Sequence, residues 1–95
     1  MVENNKYERN WIIPGMEVAH IDNPDTKMRA EEIVRREVRS EVGTSTLVVG
    51  VRCTWFDILS NGKKKARYMI YHTSTLIPWE VSIKGPEAIS KFLNR

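Results

Sequence analysis

The feature that most constrains this chain is a pair of alternating segments joined by Asn-Gly. Leu47, Val49, Val51, Cys53 and Trp55 fall on one face of an extended run, and Val48, Gly50, Arg52, Thr54 and Phe56 on the other. Its β-branched and aromatic content suits a pleated surface. Ala66 to His72 supplies the return strand, and Asn61-Gly62 lies between the two runs. Asn-Gly is the strongest short hairpin signal, because a type I′ turn needs positive φ at both central residues. The sequence therefore predicts a hairpin over 47–72 as the structural centre.

The flanks add shorter elements. Met16–Ile21 reads as a short strand after the Pro14-Gly15 turn, and Asp22-Asn23-Pro24-Asp25 is dense in turn formers. Met28 to Val42 is ambiguous. Ala30, Ile33, Val34 and Val38 fit a helical stripe, and the Glu, Arg and Ala content favours helix. Met28, Ala30, Val34 and Val38 also fit a strand broken by Glu32 and Arg36. Gly43-Thr44-Ser45-Thr46 reads as a loop or hairpin turn, and Thr73 to Pro78 as a turn. Trp79, Val81 and Ile83 alternate with Glu80 and Ser82, which predicts a final short strand or extended segment. Gly85-Pro86-Glu87 opens a helix to about Leu93, since Pro suits the first helical position and Glu complements the positive helix end.

A chain of 95 residues holds one domain, expected over 11–95 behind a loose, polar arm at 1–10. One Cys excludes an internal disulfide framework and a Cys-based zinc ribbon. No apolar run approaches the roughly 18 residues of a membrane helix, and the first ten residues lack the apolar core of a signal peptide. A cytoplasmic location is the expectation, with no membrane partner. The formal charge of +3 conceals an asymmetry: residues 1–50 carry 7 basic and 9 acidic groups, residues 51–95 carry 8 and 3.

Four short runs share one order of residues: Gly15-Met16-Glu17-Val18, Asn23-Pro24-Asp25-Thr26-Lys27-Met28, Val51-Arg52-Cys53-Thr54-Trp55-Phe56-Asp57 and Tyr71-His72-Thr73-Ser74-Thr75-Leu76. Over residues 14–79 the chain resembles the YodC-like family of uncharacterised small bacterial proteins, with Cys-x-Trp-Phe-Asp as the most specific element. Asn-Pro-Asp-Thr stands in place of the family's Gly-rich turn, the stretch Val34–Thr46 is long, and the helix after Gly85 is an extension. The resemblance implies an SH3-like barrel and a strand, not a helix, starting at Met28. The expected fold class is mainly β: a small five-stranded SH3-like barrel or strongly bent antiparallel sheet with a short C-terminal helix. The alternative is an α+β fold with residues 26–40 helical. The expected core is Ile13, Val18, Met28, Val34, Val49, Val51, Cys53, Trp55, Tyr68, Ile70, Leu76 and Phe92.

The residues argue against catalysis. Cys53, His72 and Asp57 are a nominal nucleophile, base and orienting acid, but Cys53 shares the most apolar face in the chain and reads as a small hydrophobe. His20 and His72 lack metal-ligand spacing, and no phosphate-cradling Gly motif is present. Glu31, Glu32 and Glu37 among Arg35, Arg36 and Arg39 read as a solvated, mutually paired face. No cofactor or metal is expected. What remains is a non-catalytic binding module for an unknown protein partner or a second copy of itself. The alternative is nucleic-acid binding, with Lys63, Lys64, Lys65 and Arg67 on phosphates and Tyr68, Tyr71 or Trp79 stacking on bases.

Overall fold

The structure is a computed structural model that describes residues 11–95; the expected arm at 1–10 lies outside the described residues. Five strands run β1 Glu17–His20, β2 Asn23–Ser40, β3 Gly43–Ile58, β4 Lys64–Tyr71 and β5 Leu76–Pro78. Two short helices follow, α1 Trp79–Ser82 and α2 Pro86–Leu93. All strand pairings are antiparallel, in the spatial order β4-β3-β2-β1-β5. The sheet is open: among the described residues no pairing joins β4 to β5. The mainly β class, the five-stranded antiparallel sheet and the short C-terminal helix match expectation, whereas barrel closure is not seen.

Residues 26–40 form strand, which corrects the helical alternative. Helix propensity differs by only about 0.7 kcal/mol per residue among ordinary residues, and eleven register pairs with β3 outweigh it. A bulge at Glu31 absorbs the break in alternation that made the segment ambiguous, and a second bulge puts its extra residue, Val49, on β3. The strand continues to Ser40 and reverses at Glu41-Val42, so Gly43-Thr44-Ser45-Thr46 belongs to β3 instead of a loop. Gly43, at φ 134°, takes a backbone conformation that a side chain would strain. An 18-residue strand reaches roughly 60 Å at the usual rise, which accounts for a longest molecular dimension of 55 Å.

The turn at Asn61-Gly62 closes the β3–β4 hairpin, but it is not type I′. Only Gly62, at φ 82°, has positive φ. The Gly62 amide donates to the Leu59 carbonyl at 2.9 Å, and the Leu59 amide to the Lys63 carbonyl at 2.8 Å. This is a type I-like turn followed by a left-handed glycine, the geometry of longer hairpin loops. Asn61 serves it by accepting from the Lys63 amide through Oδ1 at 2.9 Å.

Trp79–Ile83, expected as a strand, is mostly helix α1; the strand is Leu76–Pro78, one step earlier. Pro78 has no amide to donate and cannot prolong the ladder, yet it sits well immediately before a helix. The two helices supply Val81 and Phe92 to a cluster with Ala19 and Ile77. A second cluster, Val18, Met28, Ala30, Val51, Cys53 and Leu76, lies on the opposite side of β1, because Val18 and Ala19 alternate across the sheet. Of the expected core, Val18, Met28, Val51, Cys53, Leu76 and Phe92 are buried, and Val34 and Trp55 are partly buried. Ile13, Val49, Tyr68 and Ile70 are exposed instead.

Candidate functional site

Register decides which side chains meet on the β3–β4 hairpin. Arg52 pairs with Ile70, Thr54 with Tyr68, Phe56 with Ala66 and Ile58 with Lys64, and alternation puts these eight residues on one face. Arg29 pairs with both Thr54 and Glu17, which carries the face across β2 to β1. The helices cover this side of the sheet only at the β1–β5 end, over Ala19 and Ile77. The β2–β4 end is left open as a groove of about 620 Å³.

Two aromatic rings dominate the groove. Phe56 is 67% exposed and Tyr68 64%. They are diagonal neighbours across the pair, within reach of a single ligand. The Arg52 guanidinium lies 4.5 Å from the centre of the Tyr68 ring, a cation–π contact that pins the ring. Around them the charges are mostly paired. Lys27 Nζ lies 3.4 Å from Glu17 Oε2, and Arg29 Nε 3.5 Å from Glu31 Oε2. The bulge after Ala30 frees Glu31 to accept also from Thr54 Oγ1 at 3.0 Å. Arg67 Nε donates to Asp57 Oδ2 at 2.8 Å. The groove walls carry Lys27, Arg29, Arg52 and Arg67 against Glu17 and Glu31, a basic excess.

The expected contact residues separate into three places. Lys64 shares the face of Phe56 and Tyr68, while Lys65 and Arg67 alternate to the other side of β4. Lys63 belongs to the turn; none of Lys63, Lys64 and Lys65 has an ion-pair partner among the described residues. Tyr71 packs against the core cluster with its ring 4.5 Å from that of His20, and burial raises its phenol pKa. Trp79 packs against the helix-side cluster, far along the fold from the lysines. Phe56 is the site residue the sequence did not single out, and Tyr68, expected both in the core and as a stacking ring, is found exposed; their pairing shows only after register is known, because alternation gives the face of each strand but not which face the helices cover.

The catalytic alternatives gain nothing from the geometry. Cys53 is fully buried between Val51 and the core, and burial pushes its thiol up to about 11. His72 bonds to Ser74, through Nδ1 to Oγ at 2.7 Å and from the Ser74 amide at 3.1 Å, and so caps the turn before β5. His20 accepts the Asp22 amide at 3.1 Å. Among the described residues no three His, Cys, Asp or Glu side chains converge as a metal site. Among the described residues no helix is long and apolar enough to cross a membrane. No protein-family model, curated protein or solved structure matches this chain, so the YodC-like resemblance stands on the quoted motifs alone.

Proposed function

We propose that the chain is a non-catalytic protein-binding module whose β2–β4 groove takes an extended segment rich in aromatic and acidic residues. The observation that carries this reading is the solvent-facing pair Phe56 and Tyr68 beside Arg52. Exposed aromatics with an arginine are the residue types that dominate interface energetics. Arg52, the one basic side chain lining the groove without a carboxylate partner among the described residues, favours a carboxylate on the partner beside the rings.

Nucleic acid is the competing reading, because Lys64 lies on the same face as both rings and Lys63 and Lys65 are adjacent. Most basic groups of the groove are matched by a carboxylate, which weakens the field a phosphate backbone would meet. The test is a selection of displayed random peptides against the whole chain, followed by amide chemical-shift mapping. Shifts centred on Arg52, Thr54, Phe56 and Tyr68 are expected. Phe56→Ala and Tyr68→Ala should each weaken a selected peptide about tenfold or more. Peptides that map elsewhere, or tight oligonucleotide binding that falls steeply with salt and is lost on replacing Lys63, Lys64 and Lys65, would overturn it.

A further inference from the structure

The sheet ends in four backbone edges, and three are guarded. β5 is three residues long, ends in Pro78 and turns straight into a helix. β4 carries Lys64, Lys65 and Arg67 along its free edge. β2 beyond Ala30 carries Glu31, Glu32, Arg35, Arg36, Glu37 and Arg39 within ten residues. Charge and Pro on an edge, and short edge strands, are the usual devices against unwanted pairing.

The fourth edge has none of them. β4 ends opposite Val51, so β3 from Gly43 to Gly50 has β2 on one side and no strand on the other among the described residues. Those eight residues, Gly43-Thr44-Ser45-Thr46-Leu47-Val48-Val49-Gly50, include no charge and no Pro. Leu47, Val48 and Val49 are 44–50% exposed. A two-stranded ribbon is marginal by itself in water, yet this one runs beyond the three-stranded part of the sheet for about half of β2. Residues 1–10 are a poor match for this edge, with Glu3, Lys6, Glu8, Arg9 and three Asn among ten.

From these observations we infer that the chain forms a two-fold dimer in which the 43–50 edges of two copies pair antiparallel. A second copy supplies a strand that is equally uncharged and rich in β-formers. Symmetry then restricts the register. A two-fold axis normal to the ribbon keeps side chains on their own face only if one residue pairs with its own copy. Centring the axis on Thr46 fits the space between the Glu41-Val42 turn and the start of the β3–β4 pairing at Val51. It sets Thr46 against Thr46, Ser45 against Leu47 and Thr44 against Val48, all pairs suited to a sheet. The surface is separate from the aromatic groove, so either can fail alone.

Sedimentation equilibrium of the full chain should give about 22 kDa, twice the 11.1 kDa of one chain. Thr46→Lys sets two ammonium groups directly opposite each other and should raise the dissociation constant about tenfold or more, while circular dichroism stays native. Thr46→Cys should close an intermolecular disulfide on mild oxidation, because paired Cα atoms of antiparallel strands fall within disulfide range. Glu37→Cys, on the outer strand of each ribbon and about 14 Å from its copy in this dimer, should not. A monomer at concentrations up to about 1 mM, a Thr46→Lys dimer as tight as wild type, or cross-linking at Glu37→Cys as fast as at Thr46→Cys would each overturn the inference.

Discussion

Gly50→Ala is the sharpest test of how β3 and β4 meet. A methyl group at Gly50 would lie 2.8 Å from Ile70 Cγ2 and 2.8 Å from the Tyr71 carbonyl oxygen, closer than carbon atoms pack. Gly50 does not have positive φ, so backbone conformation is not the obstacle; space is. Relieving a gain in strand propensity and a loss of unfolded-chain entropy, which favour Ala by about 0.4–1 kcal/mol, the overlap costs about 1–3 kcal/mol. The Ile70 methyl can swing, because that side chain is half exposed, but the Tyr71 carbonyl belongs to the ladder with Val51 and cannot. We expect a net loss of about 1–2 kcal/mol, read as a melting temperature lower by roughly 4–16 °C for a domain of this size. Ile70→Ala in the same background should restore only part of that loss, since it removes one of the two close contacts. A Gly50→Ala protein as stable as wild type, or complete rescue by Ile70→Ala, would refute the packing argument.

Other outcomes follow from buried polar groups. The Cys53 thiol should resist iodoacetamide near pH 8 in the native protein and react at once in denaturant. Burial raises its folded pKa to about 11 from an ordinary thiol value of 9.0, so between those values the unfolded chain sheds a proton that the folded chain retains. The Cys53 contribution is therefore intact below about pH 9 and declines as pH rises toward 11, which alkaline denaturant titrations against a Cys53→Ala reference will show. Ser82 is buried and its hydroxyl donates to the Pro24 carbonyl, tying α1 to the start of β2. Ser82→Ala leaves that carbonyl without its donor and should cost about 1–3 kcal/mol in chemical denaturation; a change below a few tenths would mean that water reaches Pro24.

The legible parts of the fold were those written in a local period. Alternation over 47–56 and 66–72 marked β3 and β4, and Pro86 with Glu87 marked α2. The illegible parts depend on partners distant in sequence. β2 hid its strand behind the bulge at Glu31, which shifts the apolar phase by one residue and moves the inward position from 32 to Ile33, so that Ala30, Ile33 and Val34 fit a helix equally well. β5 and α1 are three and four residues long, too short to show any period. The lysine cluster was legible as charge but not as geometry: a strand sends Lys64 and Lys65 to opposite faces, so no single surface presents all of it.

The candidate site follows from which residues the core leaves aside. A chain this small would be expected to spend its aromatics internally. Here Ala19, Ala30 and Cys53 are wholly buried, and the rings the core uses are others: Phe92 inside one cluster, and Trp11, Trp55, Tyr71 and Trp79 packed against the two. Larger volume arrives from Leu76, Ile77 and the helices, through Val81 and Phe92, with Trp11 edge-on to Phe92 at 5.5 Å. Phe56 and Tyr68 are thereby unneeded for folding, and each lies on a strand where a polar residue would serve the monomer as well. Replacing both therefore separates binding from stability: the double alanine variant should melt close to wild type while losing the peptide, because side chains so exposed contribute little area to the folded state. A melting loss as large as that from a buried Val51→Ala would instead place the rings in the core of the working protein, and the groove would cease to be a binding surface.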